Sequence, residues 1–310
     1  MRTPKSRDIG PAIQLWHFLL HLRWHYQLFI LSGGFLLGGF LSSSFTSTSF
    51  IIQFFNVHLL LFGGATAYNS YWDKDEGAIG GLRNPPPMQG WMHPASVLLQ
   101  FLSLTIACSL GIAYTAIFLA SIFLFWGYSS PMVRWKGSPI ISLIAIGIST
   151  GFNAVLLGYV AAGSHILSPI ILVAALGVAL ILLSLYPISQ IYQHKEDQAR
   201  GDRTFAITFG SSAVQTFFRI AYSLGLTMLS GVLIWEHVRL GVLFAGIGVI
   251  VGVITNKKVQ LVEDGEKGYQ KVMQIKYGLS LAFVFFLIIA ILLKHGQING
   301  IPIIQNWLLR

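Results

Sequence analysis

The densest polar cluster in an otherwise apolar chain is the stretch NSYWDKDEG, residues 69–77. Asn69 and Asp73 are four residues apart, so they share one face if the preceding helix continues through them. Asp75 and Glu76 follow, and the glycines after them let the chain turn back. Oxygen ligands of this kind, without histidine or cysteine, suit Mg²⁺. The stretch therefore predicts a magnesium site at the end of an apolar helix.

A second cluster with the same chemistry, SQIYQHKEDQARGD at residues 189–202, closes a later apolar stretch. Gln193 and Asp197 repeat the four-residue spacing, and Glu196 and Asp202 lie close to them in the sequence. Ordinary solvated loops are the alternative interpretation, and one cluster alone would not exclude it. Two matched clusters favour a repeated architecture with a shared site.

Basic residues lie in the same set of loops and could hold phosphate oxygens. Carboxylates and cations at one end of an apolar bundle imply a substrate with an anionic head and an apolar tail. The basic residues in question are Arg83, Arg134, Lys136, Arg200 and Arg203.

The elements that carry these loops must cross a membrane. Only 10% of the 310 residues are charged and 54% are hydrophobic, with a mean hydropathy of +0.68, whereas a soluble domain has about 25% charged residues. The single cysteine, Cys108, excludes a disulfide within the chain and a cysteine-based zinc site. A spanning helix needs about 20 apolar residues, and on that basis the chain has approximately nine spans. They run approximately over residues 28–47, 50–68, 95–114, 115–126, 140–162, 169–191, 217–235, 240–255 and 277–293.

The distribution of basic residues predicts the orientation. Every Lys and Arg except Arg239, Lys294 and Arg310 falls in the N-terminal segment, in the loops after spans two, four, six and eight, or at the base of span seven. Positive residues concentrate on the cytoplasmic side, so we expect the N-terminus and both polar clusters there. The net charge of +9 is then explained by topology, and nucleic acid is not an expected partner.

Three motifs in register resemble the UbiA superfamily of intramembrane prenyltransferases. The first family motif, N-x-x-x-D-x-x-x-D, is matched by Asn69 and Asp73, and the second, D-x-x-x-D, by Asp197. The segment YSSPMVRWKGSP, residues 128–139, resembles the family's Y-S-x-P-x-x-R-x-K loop through Arg134 and Lys136. The resemblance covers essentially the whole chain.

The resemblance implies an all-α integral membrane protein, with residues 1–310 as one domain of about nine helices, in the cell inner membrane among its lipids. Its expected reaction moves an isoprenoid from a prenyl diphosphate to a lipophilic acceptor, such as an aromatic quinone precursor, with Mg²⁺ assisting diphosphate departure. Aromatic side chains near the helix ends, Tyr128 and Tyr192 among them, could stabilise an allylic cation. The catalytic candidates are Asp73 and Asp197; those for metal binding are Asp73, Glu76, Asp197 and Asp202; those for substrate binding are Asn69, Arg83, Arg134, Lys136, Gln193 and Arg200.

Two departures from the family motifs keep other functions open. The last Asp of the first motif falls on Gly77 unless Glu76 takes its place, and the first Asp of the second motif falls on Gln193. One alternative is therefore a family member with lost or altered transferase activity. Another is a membrane carrier of an anionic lipophile, although transporters place ionisable groups near the bilayer midplane and the predicted spans contain almost none. The acceptor, the prenyl length and the number of metal ions are not specified by the sequence.

Overall fold

The structure, a computed structural model, describes residues 10–295, and within that range it is helical with no β-sheet. This agrees with the all-α membrane fold expected from the hydropathy. The helices are α1 (Pro11–Leu22), α2 (Gly33–Leu41), α3 (Ser47–Asp73), α4 (Met92–Leu110), α5 (Ile112–Ser129), α6 (Pro139–Ala161), α7 (Pro169–Tyr192), α8 (His194–Ala199), α9 (Phe205–Glu236), α10 (Val238–Val259) and α11 (Glu266–Lys294).

Eight of the described helices, α3 to α7 and α9 to α11, are long and apolar enough to cross a membrane. The predicted first span, residues 28–47, corresponds to a π-helical turn, Gln27–Leu31, followed by the short helix α2. These two pieces are too short individually to count as a membrane-spanning helix. The expected total of nine spans therefore stays a prediction, as does the side of the membrane on which the N-terminus lies.

Several helices extend well beyond the apolar stretches that predicted them. Helix α9 begins at Phe205 rather than near residue 217, and α11 begins at Glu266 rather than near residue 277. Hydropathy marks only the part of a helix that lies in hydrocarbon, whereas polar residues can continue the same helix towards the loops. Inside α9, Gly210 has a φ of 80° and interrupts the helical geometry.

Close contact between α2 and α6 forms the tightest crossing in the bundle. A Cβ placed on Gly38 would lie 2.1 Å from the carbonyl oxygen of Val155, and one on Gly158 would lie 1.9 Å from that of Phe35. Only glycine allows two helix backbones to approach this closely. Small residues therefore hold α2 in the interior, where all of its side chains are buried.

Polar side chains link helices within the apolar region. Asn56 on α3 donates to the carbonyl oxygen of Ser103 on α4 at 2.9 Å, and Ser103 donates to the Asn56 side chain at 2.7 Å. Asn153 on α6 donates to the Ser121 hydroxyl on α5 at 2.9 Å. Buried amides need partners in an apolar medium, so these pairs fix the register between neighbouring helices.

Candidate functional site

Three loops converge at one end of the bundle, which we call the charged face: the loop after α3, the α5–α6 loop and the segment around α8. Each begins or reverses at a residue with left-handed backbone geometry. Lys74 ends α3 with a φ of 51°, Arg134 turns the α5–α6 loop with a φ of 41°, and Gly201 follows α8 with a φ of 77°. These reversals direct the polar side chains of the three segments towards one another.

Asp73, the last residue of α3, is the centre of the first group of contacts. Its Oδ2 accepts a hydrogen bond from Asn69 Nδ2 at 2.7 Å and lies 2.6 Å from Lys136 Nζ. Arg134 approaches Oδ1 only to 3.7 Å, and Oδ1 is buried without a hydrogen-bond partner. Asn69 also donates to the Ser129 hydroxyl at 3.1 Å. The four-residue spacing of Asn69 and Asp73 thus does place both on one face of a continuous helix.

Asp202 joins the loop after α8 to the α5–α6 loop. Arg134 Nε and Nη2 donate to its two oxygens at 2.7 and 2.9 Å, a bidentate pair. Lys136 Nζ and Arg200 Nε also lie within 4 Å of the same carboxylate, at 3.8 and 3.6 Å. Only 2% of the Asp202 side chain is exposed, so its charge is balanced by neighbouring cations and not by solvent.

Arg200 connects the two acidic clusters. One end of its guanidinium forms an ion pair with Asp75, in the loop after α3, and the other donates to Asp197 Oδ1 at 2.6 Å. Burial raises the pKa of Asp197 to about 6, against the opposing effects of Arg200 and Lys136. Burial lowers the pKa of Arg200, but Asp75 and Asp197 outweigh it and the net pKa is raised. The matched clusters therefore form one charge-compensated assembly.

Glu196 occupies the space beside Gly77, where the first motif departs from its pattern. The Gly77 N–H donates to Glu196 Oε1 at 2.6 Å, and a Cβ on Gly77 would lie 2.8 Å from that oxygen. A carboxylate from the second cluster therefore reaches the position at which the first cluster lacks one. Sequence spacing alone could not show this contact, because the two residues are 119 positions apart.

A cavity of about 530 Å³ opens beneath these charges and continues among the helices. Along α7 its lining runs from Val178 to Tyr192, which corresponds to about 21 Å at the rise of an α-helix. Apolar side chains of α9, α10 and α11 line the deeper part. At the upper part Tyr128 and Tyr186 face each other, with their hydroxyl oxygens 2.8 Å apart. The cavity is polar at one end and apolar along its length.

The structure brings six of the predicted site residues to this cavity and leaves four outside its lining. Arg134 and Asp202 lie directly behind the lining, in the ion pair described above. Glu76 is exposed, and Arg83 forms an ion pair with Glu266 at the surface, with 59% of its side chain exposed. The six lining residues are Asn69, Asp73, Lys136, Gln193, Asp197 and Arg200.

Two cavity-lining cations were missed by the sequence reasoning. Arg23 lies in the break after α1, and Lys276 lies one residue before the predicted start of the last span. Both are buried, with 7% and 8% of their surface exposed. A basic residue at the edge of an apolar stretch was the available signal, but it is also what the positive-inside pattern produces.

The oxygen donors at the charged face fit Mg²⁺ in chemistry. Asp73 and Asp197 are buried carboxylates at the head of the cavity, and Asp73 Oδ1 is a buried acceptor without a donor. Within residues 10–295 no three His, Cys, Asp or Glu side chains are arranged to hold a metal ion together. Mg²⁺ typically uses one or two carboxylates, waters and substrate phosphates, so two aspartates and a phosphate-bearing substrate are a sufficient donor set.

Comparison with solved structures finds the same fold in UbiA homologues. A homologue from Archaeoglobus fulgidus bound to DMAPP and Mg²⁺ is similar with a TM-score of 0.66 and 16% identity, over 87% of this chain and 98% of that chain. The same homologue bound to GPP and Mg²⁺ gives 0.66 and 16% over 88% and 99%. A structure of digeranylgeranylglyceryl phosphate synthase gives 0.60 and 18% over 90% and 99%.

Sequence comparison gives the family directly. No curated protein matches the chain by sequence, and identities as low as those of the solved structures show a shared fold alone. The model of the UbiA prenyltransferase family, however, matches residues 28–279, which is most of the chain. Together with the membrane-spanning helices and the paired acidic clusters, this match shows that the chain is an integral membrane protein of the UbiA prenyltransferase family.

Proposed function

We propose that this protein transfers an isoprenoid chain from a prenyl diphosphate to a lipophilic acceptor. The single observation that carries the proposal is the cavity, which runs for about 21 Å along α7 from a buried cluster of carboxylates and cations to apolar side chains. A molecule with a diphosphate head and a hydrocarbon tail matches both ends. The bound molecules named for the A. fulgidus homologue, DMAPP and GPP with Mg²⁺, support the same substrate class here.

The diphosphate head belongs at the charged face. Lys136 and Arg200 line the cavity there, and Asn69 holds its amide beside Asp73. Lys136 and Arg200 carry more N–H groups than their ion pairs use, and these can bind phosphate oxygens and stabilise the charge that develops when the bond between the isoprenoid carbon and oxygen breaks. Asn69 stays a prediction as a phosphate ligand, since its amide already donates to Asp73 and Ser129. Asp73 and Asp197 would hold Mg²⁺, which neutralises charge on the departing diphosphate. Glu76 and Asp202 stay predictions as ligands, since neither lines the cavity.

The reacting carbon lies below the head, where the lining changes from polar to aromatic and apolar. The electron pair of the breaking bond leaves with the diphosphate, and the allylic cation that remains is shielded from water by the walls of the cavity. Tyr128 and Tyr192 line the cavity, and their ring faces can stabilise positive charge. The acceptor forms the new bond to the allylic carbon and loses a proton. We place the charged face in the cytoplasm, because the loops that form it carry most of the basic residues.

Diphosphate release by the purified protein in lipid nanodiscs tests the proposal. Prenyl diphosphates of several lengths are offered with a pooled lipophilic extract, with and without Mg²⁺. Release that needs both Mg²⁺ and the extract is the expected result. Asp73→Asn and Asp197→Asn should each reduce the rate by at least about 10²-fold, since each removes a charge that acts on the leaving group. Lys267→Ala, at an exposed position of α11, should leave the rate unchanged and serves as the control.

A second function is favoured by one observation, the pairing of the four aspartates of the two clusters with Lys136, Arg134 or Arg200. Aspartates that are already paired with cations in the absence of metal suit a protein that binds a prenyl diphosphate and does not cleave it. Binding of the intact diphosphate with no release under any of the conditions above would support this function and would contradict the transferase. Wild-type rates in both aspartate variants would refute the site assignment itself.

A further inference from the structure

Two neutral polar side chains line the cavity with hydrogen-bonding atoms that the protein does not pair. Gln190, near the end of α7, is 5% exposed, and Thr204, directly before α9, is 4% exposed. Both residues belong to the cavity lining. Among residues 10–295, Gln190 Nε2 and Thr204 Oγ1 are buried and have no hydrogen-bond partner. Burying an unpaired polar atom is costly, so we expect the partner of each atom to be a molecule that enters the cavity.

The orientation of the Gln190 amide is fixed by the backbone at the start of α9. The Ala206 N–H donates to Gln190 Oε1 at 3.1 Å. Because a backbone N–H can only donate, the atom that faces it must be the amide oxygen, and the NH₂ group is the unpaired end. The Tyr186 hydroxyl is close to this amide, but no atom of the described chain meets hydrogen-bond geometry with Nε2. Gln190 therefore presents N–H donors to the cavity.

The Thr204 hydroxyl is a second unpaired donor in the segment that orients the first. Thr204 lies two residues before Ala206, and its hydroxyl makes no capping hydrogen bond to the first turn of α9. The preceding residue is tied to the α5–α6 loop, since the Arg203 N–H donates to the carbonyl oxygen of Gly137 at 3.0 Å. Thr204 therefore lies beside the loop that carries Lys136. We call Gln190 and Thr204 the neutral subsite.

The level of the neutral subsite matches the head of the proposed substrate and not its tail. Along α7, Gln190 comes four residues after Tyr186 and three before Gln193. It therefore lies between the tyrosine pair and the charged face, about one helical turn from each. Lys136 and Asp197 line the same end of the cavity.

The neutral subsite differs from the neighbouring cations in what it must release to bind an anion. Lys136 Nζ lies 2.6 Å from Asp73 Oδ2, and Arg200 donates to Asp197 Oδ1 at 2.6 Å. A phosphate oxygen must compete with these carboxylates for the two cations. The amide and the hydroxyl of the neutral subsite have no such partner, so they are preorganised to donate to a phosphate oxygen.

We propose that Gln190 and Thr204 bind oxygen atoms of the diphosphate group and hold it while its bond to the isoprenoid carbon breaks. The two hydrogen bonds stabilise the negative charge that the departing diphosphate acquires. The inference rests on the proposed transferase function and adds two positioning residues to it. It assigns both residues to the diphosphate and not to the acceptor.

Equilibrium binding of inorganic pyrophosphate tests the inference without turnover. Calorimetry measures the Kd of pyrophosphate, with Mg²⁺ present, for the protein in nanodiscs. Thr204→Val keeps the shape and removes the hydroxyl, and it should raise the Kd roughly 10-fold or more, as expected for a hydrogen bond to a charged group. Thr204→Ser should recover most of the affinity, and Thr227→Val, at an exposed position of α9, is the matched control. A wild-type Kd in Thr204→Val overturns the assignment of Thr204.

Gln190→Glu tests the amide donor separately from the structural hydrogen bond. The substitution keeps an oxygen for the Ala206 N–H and places a second oxygen where the amide donors were. The Kd for pyrophosphate, relative to wild type at the same pH, should rise and should rise further as the pH increases and the new carboxyl group ionises. A purely structural role gives no such pH dependence. Gln260→Glu, exposed at the end of α10, is the control, and a wild-type Kd in Gln190→Glu at every pH contradicts the inference.

Transfer kinetics then separate the two substrates. In Thr204→Val and Gln190→Glu the KM for the prenyl diphosphate should rise, whereas the KM for the acceptor extract should stay unchanged. A rise confined to the acceptor KM overturns the inference and leaves the transferase intact. Absence of transfer by the wild type refutes the proposed function, whereas weaker pyrophosphate binding by the two variants still supports the neutral subsite.

Discussion

Asp202 offers a sharp test of how the charged face is held together. Its carboxylate accepts two hydrogen bonds from Arg134, at 2.7 and 2.9 Å, and is only 2% exposed. Asp202→Asn keeps the shape but removes the charge and leaves Arg134 without its main partner. Breaking a buried pair costs about 3–5 kcal/mol. We expect the lower end, about 3 kcal/mol of unfolding free energy, because 26% of the Arg134 side chain is exposed to solvent.

A double-mutant cycle measures the interaction itself. Unfolding in nanodiscs or mild detergent is followed for wild type, Asp202→Asn, Arg134→Gln and the double variant. Removing both partners should cost less than the sum of the single losses, with a coupling energy of about 1–3 kcal/mol. Additive losses would refute the reasoning, because they would mean that the bidentate pair contributes nothing.

Asp202→Asn also tests whether the Asp202 carboxylate has a structural role or binds metal. If Asp202 acts through Arg134, the Mg²⁺ concentration for half-maximal activity should stay unchanged in Asp202→Asn, while the KM for the prenyl diphosphate rises. Asp73→Gln serves as the contrast, since Asp73 lines the cavity. A large increase in the Mg²⁺ requirement of Asp202→Asn would instead support the sequence-based prediction that Asp202 binds metal.

Two further predictions concern stability. His21 Nε2 donates to the carbonyl oxygen of Pro86 at 2.7 Å, its Nδ1 is buried without a partner, and burial lowers its pKa from 6.5 to about 4. The unfolded chain therefore binds the proton more tightly than the folded chain, and the free energy of unfolding should fall by up to about 3 kcal/mol as the pH drops from about 6.5 to 4. His21→Gln should reduce the pH dependence of the melting temperature in that range. An unaltered profile would contradict the assignment. Gly158→Ala should lower the free energy of unfolding by about 1–3 kcal/mol or more, because the added Cβ would lie 1.9 Å from the carbonyl oxygen of Phe35. Gly231→Ala is the control, since a Cβ there meets open space, and it should not lower stability. Equal melting temperatures of the two variants would show that the α2–α6 crossing can relax.

Local features were readable from the sequence because they depend on residues close together in the chain. Hydropathy located the apolar stretches now seen in the eight spanning helices, and the four-residue spacing placed Asn69 and Asp73 on one helix face. The loop motif around Arg134 and Lys136 pointed to the family that the sequence comparison then showed. Helix ends were less predictable, as α9 and α11 continue through polar residues that hydropathy reads as loop.

The pairing of charges was decided only by the tertiary structure. Arg83 and Arg200 are similar loop residues in the sequence, yet Arg83 pairs with Glu266 at the surface and Arg200 joins Asp75 to Asp197 in the interior. In the sequence Lys276 is one of several lysines in a loop expected on the cytoplasmic side, whereas in the structure it lies on α11 and lines the cavity. The physical reason is that burial and ion pairing depend on which helices pack together, and no spacing along the chain encodes a contact such as that between Gly77 and Glu196.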